Sequence, residues 1–222
     1  MEERERNAAF ISALTTEHSV LQAAANATVS DAASRSSLYV FALSSALVAM
    51  GFAAQSREVF LPFAAAVLPA LFVLGLFTTV RLVDSAVENM QYMAGIAHIR
   101  AFYRTLTPEA AVQFAPERGR WPEGRSEPSL QLGTLVAFLT TTASMIAFIN
   151  STVAGAGVTL LAADRLGAGR TGLALAFGAA TAVILMAAFL AFQRWRFGMY
   201  APAASPEEGR EGDRTQGPSS RA

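Results

Sequence analysis

Two long apolar segments joined by one short polar turn constrain this chain more than any other feature. Leu38–Ala54 and Val59–Val80 contain no charged residue, and Gln-Ser-Arg-Glu fills positions 55–58 between them. As helices these segments would rise roughly 25 Å and 33 Å, close to the ~30 Å hydrocarbon core of a bilayer. Helices joined by so short a turn must be antiparallel neighbours, so the pattern predicts a membrane helical hairpin.

Two further apolar runs, residues 130–163 and 172–193, predict a second hairpin. We therefore expect an all-α membrane protein with four transmembrane helices, at residues 37–54, 58–81, 130–163 and 172–193. The composition agrees, because only 15% of the residues are charged, against about 25% in an average soluble domain.

The helical pattern extends beyond the first hairpin on its charged side. Residues 1–36 predict an amphipathic helix that runs into the first span, with an apolar stripe at Ile11, Leu14, His18, Leu21, Ala25, Val29 and Ala32. Residues 82–106 continue the second span. Thr107-Pro108-Glu109 predicts a helix start within a short helix and loop at 107–129, and residues 194–222 predict a disordered tail.

Arginine sets the expected orientation. All 17 basic residues are arginine, and the two short turns hold only Arg57, Arg165 and Arg170. The N-terminal segment, the central connection and the tail hold the rest, so the positive-inside rule predicts cytoplasmic N- and C-termini in a multi-pass plasma-membrane protein. No cleavable signal peptide is visible, and interfacial aromatic residues are expected at Tyr39, Trp195 and Tyr200.

Charged residues beside the first hairpin predict an ion-pair cluster. In an antiparallel hairpin centred near residues 56–58, residues whose numbers sum to about 114 lie opposite each other. That register brings together Asp31, Arg35, Arg81 and Asp84, with Glu88 nearby. The cluster would align helices; alternatively, these are independently solvated interfacial charges.

The same register places His18 opposite Ile96, within about one turn of His98, and these are the only 2 histidines in the chain. They could form a pH-sensing pair, or a thin metal site with Glu17. The alternative is two unrelated residues beside a helical interface. We expect no cofactor.

The third span is the most polar. Its Thr141, Ser144, Asn150 and Ser151 could line a pore, or they could form hydrogen bonds between packed helices. Small residues also recur every four positions, at Ser45, Ala49 and Ala53, at Ala143, Ala147, Ser151 and Gly155, and at Ala174, Gly178 and Ala182. Such ridges permit close helix approach, either within one chain or in a homo-oligomer.

Several classes of chemistry are improbable. The chain has 0 cysteines and no Walker A, GxGxxG, GxSxG or HExxH motif, so we expect no enzyme. The apolar cores contain no ionisable residue, which weighs against a proton-coupled transporter. The formal net charge of +0 gives no reason to expect nucleic acid as a partner.

Two blocks, His18–Ala54 and Leu68–Tyr103, resemble a group of integral membrane proteins from high-GC Gram-positive bacteria. The charged helix that enters and leaves a two-span hairpin is also similar in architecture to bacterial immune effectors of the SLATT and Pycsar type. That second likeness implies membrane perturbation in response to a nucleotide signal, although no nucleotide-binding motif matches.

These observations favour a non-enzymatic scaffold or subunit that acts through helix–helix association. A pore-forming or membrane-perturbing effector gated by its cytoplasmic hairpin is the alternative, and a small-solute transporter is third. The expected partners are the lipid bilayer, a second copy of the chain, and a protein that binds the cytoplasmic hairpin.

Overall fold

A computed structural model describes residues 2–114 and 139–200, and every regular element in these ranges is helical. The helices are α1 (Glu2–Ala53), α2 (Arg57–Arg104), α3 (Pro108–Gln113), α4 (Thr142–Leu166) and α5 (Thr171–Tyr200), with a 3₁₀ turn at Ala168–Arg170. The predicted all-α class is confirmed. The predicted loop at 115–129, the beginning of the third apolar run and residues 201–222 lie outside the described residues.

Four helices, α1, α2, α4 and α5, are long and apolar enough to cross a membrane. Between 11% and 33% of the most apolar window of each helix is buried inside the molecule. The other residues of these windows are half-buried or exposed, and they include large apolar side chains such as Phe41, Phe77 and Val183, which soluble proteins seldom expose in such number. A bilayer would cover such side chains, so the structure is compatible with a multi-pass membrane protein.

The helices α1 and α2 each consist of a charged half and an apolar half, with no break between the two halves. We call residues 2–36 of α1 and 82–104 of α2 the charged halves. Phe10 packs edge-to-face on Phe102 with ring centroids 5.4 Å apart, and Leu21 packs on Gly95. The beginning of α1 therefore contacts the end of α2, and the two helices lie antiparallel.

The buried core lies where the junction of the charged and apolar halves meets α4. Tyr39 of α1, Leu82 and Val83 of α2, and Ala143 and Ile146 of α4 form one buried cluster. Helix α4 also packs along α5, and the two backbones approach each other closely at Gly155 and Gly178. Thus α4 contacts α1, α2 and α5, and its side chains occupy the centre of the molecule.

Three details differ from the sequence-based expectation. Two residues of the predicted apolar stripe are exposed, Ile11 at 41% and Val29 at 59%; near Val29, Thr28 is buried instead and donates to the Ala25 carbonyl. Helix α4 continues past the predicted end of the third span at residue 163 to Leu166, and Gly167, with a positive φ of 79°, is its C-cap. Helix α5 continues past the predicted boundary at Gln193 to Tyr200, so the predicted disordered tail is wrong for residues 194–200; Arg194 and Arg196 favour a helix.

Candidate functional site

A buried hydrogen-bond network joins three of the candidate spans at Asn150. Asn150 is 4% exposed, and its Oδ1 accepts a hydrogen bond of 3.2 Å from the hydroxyl of Tyr39. Its Nδ2 donates to the Phe72 carbonyl, also at 3.2 Å. One amide therefore links α4 to α1 and α2. Interhelical hydrogen bonds of this kind help to specify how apolar helices pack against each other.

Gly75 makes room for this network. A Cβ atom at residue 75 would collide with the Asn150 amide and would lie 2.8 Å from Cε2 of Tyr39. Only glycine lets both side chains lie against the backbone of α2. From the sequence we expected Tyr39 at the membrane–water interface, and we predicted no role for Gly75. Their part in this hydrogen-bond network was therefore not predicted.

A second network joins α4 to α5. The Ser144 hydroxyl donates to Gln193 Oε1 at 3.1 Å, and Gln193 Nε2 donates to Thr141 Oγ1 at 3.2 Å. Thr141 and Ser144 hydroxyls are 2.9 Å apart, and the Ser144 proton is already engaged, so Thr141 is the donor between them. The three side chains form a closed ring in which each donates to the next. Gln193 is fully buried.

The ring also begins helix α4. Thr141 is the N-cap, and its Oγ1 accepts from the Ser144 backbone N–H at 3.2 Å. A capping hydroxyl satisfies one of the N–H groups left free at a helix start. Thr141 therefore fixes both the start of α4 and its contact with α5. Ser151, the remaining polar candidate in this span, is also buried.

An ion-pair cluster lies at the junction of the charged and apolar halves. Asp31 accepts from Arg35 Nε at 2.8 Å, and Arg81 Nε lies 3.7 Å from the same carboxylate. Arg81 also pairs with Glu88 at 3.1 Å. These four side chains, which we call the junction cluster, tie α1 to α2 through Arg81.

Asp84 has a different partner. It pairs with Arg196 of α5, so the structure does not join it directly to Asp31 or Arg35. The register along one hairpin could not reveal a partner on the fourth long helix. Together, the two ion pairs of Arg81 and the pair of Asp84 connect α1, α2 and α5 at one level.

We expect the junction cluster to respond to acid. The hydrogen bond from Arg35 is the main cause that lowers the pKa of Asp31 below its ordinary value. A lowered pKa means that the stabilisation is complete above about pH 4, the ordinary aspartate range, and is lost as the pH falls through the lowered value. The difference in melting temperature between the wild type and Asp31→Asn should therefore be constant near neutral pH and shrink below about pH 4.

Glu17→Gln serves as the control for this experiment, because Glu17 is exposed and forms no ion pair with a described residue. Its difference from the wild type should stay small throughout the titration. A difference for Asp31→Asn that grows with acid would contradict the prediction.

The two histidines lie in different surroundings. His18 packs beside Tyr103, with ring centroids 6.5 Å apart, whereas His98 is exposed. The residues that surround His18 in its small cavity do not include His98. In the described residues, no group of three His, Asp or Glu side chains could hold a metal ion.

Comparisons with known proteins give no relative: no family model, curated protein or solved structure matches the chain.

Proposed function

We propose that this protein is a non-enzymatic membrane scaffold that presents its charged halves as a rigid projection from the bilayer. The observation that supports this is the continuity of α1 over Glu2–Ala53 and of α2 over Arg57–Arg104. A helix of residues 2–36 extends roughly 50 Å beyond the predicted span. Because neither helix breaks at the junction, a partner bound to the projection is held at a fixed position relative to the membrane.

The projection belongs on the cytoplasmic side of the plasma membrane in this proposal. The arginine distribution supports cytoplasmic N- and C-termini, with the turn at 55–58 and the turn after α4 on the far side. The partners are then the bilayer and a cytoplasmic protein or second copy of the chain. Neither nucleic acid nor a cofactor is required.

The natural lack of cysteine makes this topology directly testable. A membrane-impermeant maleimide should label Ser56→Cys in intact cells, because Ser56 lies exposed in the turn between α1 and α2. Ser12→Cys, exposed on the charged half of α1, should react only after permeabilisation. The reverse pattern would invert the topology and exclude a cytoplasmic partner.

The buried polar networks favour a scaffold over a pore. Asn150 and Ser144 use their polar atoms within the molecule, on Tyr39, Phe72 and Gln193. A water-filled pore needs polar groups that face its lumen, whereas these groups hold helices together. The effector alternative therefore requires an opening that breaks these bonds.

Site-specific photo-crosslinking tests the scaffold. A photoreactive residue at Val20, 56% exposed on the charged half of α1, should form one discrete protein adduct in cells. The adduct has twice the chain mass if the partner is a second copy. The control is Val183 on α5, 68% exposed among apolar residues, where lipid should be the contact.

Dye release from liposomes separates the scaffold from the effector. The purified full-length chain should release no dye from the vesicles. The Asn150→Leu variant should also release none, whether or not the substitution unfolds the protein. If the wild type releases dye and no adduct forms at Val20, the scaffold proposal is wrong and the protein is a membrane-perturbing effector instead.

A further inference from the structure

Two apolar grooves lie on either side of the contact between α2 and α4. The first separates residues 43–54 of α1 from α4, and the second separates residues 61–72 of α2 from α4. Their volumes are about 540 Å³ and 490 Å³. We call them the α1 groove and the α2 groove. Both are lined by Leu68, Val153 and Leu160, which form the wall between them.

The walls of both grooves are apolar. Among the described residues that line the α1 groove, Thr152 is the one polar side chain, and its hydroxyl donates to the Phe148 carbonyl at 2.9 Å. In the α2 groove the corresponding residue is Asp164, close to the end of α4. Both grooves are open, because their wall residues Phe148 and Leu161 are each 62% exposed. Water finds no hydrogen-bond partner on such walls, so a hydrocarbon suits them better.

Each groove is about as deep as one leaflet of a bilayer. The parts of α1 and α2 that line them each rise roughly 17 Å, against about 15 Å for half of the ~30 Å hydrocarbon core. Both grooves begin near the turn at 55–58 and end at the buried network of Asn150. Ile149 lines the α1 groove, and Phe72, whose carbonyl accepts from Asn150, lines the α2 groove. A chain that enters beside the turn therefore meets this network at the depth of one leaflet.

The volumes match one acyl chain for each groove. An apolar cavity of about 150 Å³ binds one benzene molecule, which corresponds to roughly 25 Å³ for each carbon atom. The two grooves therefore have room for about 20 carbon atoms each, the size of a fatty acyl chain. A helix of the same length and about 10 Å in diameter would occupy roughly 1,300 Å³, which exceeds both volumes together. The grooves thus fit two thin chains better than a helix of a partner protein.

A pair of opposite charges lies at the mouths of the grooves. Arg57 follows shortly after Ala54 of the α1 groove, and Asp164 lines the α2 groove. Arg57 Nη2 and Asp164 Oδ1 are 3.1 Å apart, and the two side chains are 80% and 43% exposed. Because so exposed an ion pair contributes little to stability, both side chains are available to a charged ligand. A phosphate beside Arg57 and an ammonium beside Asp164 would complement the pair.

We propose that the two grooves bind one diacyl phospholipid with a zwitterionic headgroup. One acyl chain fills the α1 groove and the other fills the α2 groove, on either side of the wall formed by Leu68, Val153 and Leu160. The headgroup lies beside the turn at 55–58. In the proposed topology, this lipid belongs to the leaflet remote from the cytoplasm.

The bound lipid would complete the packing of the apolar halves. Helix α1 bonds to α4 through Tyr39 and Asn150 at the closed end of the α1 groove, and the acyl chain would fill the space between the two helices from there to the turn. The site rests on the four spans and not on the scaffold. Lipid binding and the adduct at Val20 can therefore fail independently.

Native mass spectrometry of the full-length protein, titrated in detergent with dipalmitoyl phosphatidylcholine, tests the proposal. The wild type should saturate at one lipid per chain. Phosphatidylglycerol with the same acyl chains should bind more weakly, because it offers no ammonium group to Asp164.

Two substitutions fill one groove each. Ala65→Phe adds a ring in the α2 groove, and Gly51→Phe adds one in the α1 groove, where nothing lies within 4 Å of the position of a Cβ. Each should weaken binding of the two-chain lipid at least tenfold, since lost burial of about two methylene groups already has that effect. Lysophosphatidylcholine, which has one chain, should bind each variant within twofold of the wild type, because the other groove stays open.

Ala66→Phe is the matched control, because Ala66 is exposed on the same helix and lines neither groove. It adds the same ring and should leave the affinity within twofold of the wild type. Circular dichroism verifies that each variant is folded. The proposal is overturned if no saturation at one lipid per chain occurs, if Ala66→Phe weakens binding as much as Ala65→Phe, or if the anionic lipid binds more tightly. A wild-type dimer that Gly51→Phe converts to a monomer would also overturn it, by placing a second copy of the chain in the groove.

Discussion

Replacing Gly75 with alanine adds one atom, the Cβ, and this atom should disrupt the contact between α1, α2 and α4. The new Cβ would occupy the position of the Asn150 amide and approach Tyr39 Cε2 to 2.8 Å. The amide would have to rotate away, and the hydrogen bonds from Tyr39 and to Phe72 would be lost together. Overpacking of this kind costs about 1–3 kcal/mol, and each unpaired buried group adds to the cost.

The measurement is the free energy of unfolding in mixed micelles. Gly51→Ala on α1 is the matched control, since nothing lies within 4 Å of the position its Cβ would occupy. It should be neutral or slightly stabilising, because alanine favours a helix over glycine by about 0.5–1 kcal/mol. Gly95→Ala should lie between the two, as its contact is the flexible end of Leu21. Equal stability of Gly75→Ala and Gly51→Ala would show that the Asn150 network does not form.

The sequence made the helices predictable and left much of their lateral packing open. Long uncharged runs specify spans by length alone, and the short turn at 55–58 makes α1 and α2 neighbours. Counting along that pair also brings Asp31 near Arg81, which lie 3.7 Å apart. Such counting uses only chain connectivity, so it works only for helices that are consecutive.

Contacts between helices that are distant in sequence needed coordinates. Asp84 of α2 pairs with Arg196 of α5, two helices that are not consecutive. Tyr39 shows the same limit. A tyrosine at a span end suggests the interface, yet this one is fully buried because α4 lies over it. Both contacts depend on how helices that are not consecutive are placed and rotated against each other, and no local sequence pattern encodes that arrangement.

The small-residue ridges left a choice between contacts within the chain and contacts between chains. In the structure, the ridges of α4 and α5 meet each other. A Cβ at Gly178 would lie 2.5 Å from the Gly155 carbonyl oxygen and collide with the Thr159 hydroxyl, and one at Gly155 would lie 2.6 Å from the Gly178 carbonyl oxygen. Ser45 on α1 is exposed instead, so the ridge of α1 is not used in the same way.

Gly178→Ala should therefore force α4 and α5 apart, with a loss of about 1–3 kcal/mol. The obstacle is backbone, which cannot rotate away as a side chain can, so the whole helix must shift. Gly172→Ala on the same helix is the control, because nothing lies within 4 Å of the position its Cβ would occupy, and its stability should be close to that of the wild type.

Combining Gly178→Ala with Gly155→Ala distinguishes a shared contact from two independent ones. Once the first substitution has separated the helices, the second Cβ enters space that is already open. The double variant should then be more stable than the sum of the single losses predicts, with a coupling of about 0.5–3 kcal/mol. Additive losses would mean that the two glycines act at separate contacts. A change in the mass of the protein–detergent complex with Gly178→Ala would instead place the α5 ridge between chains, because a contact within one chain cannot alter the number of subunits.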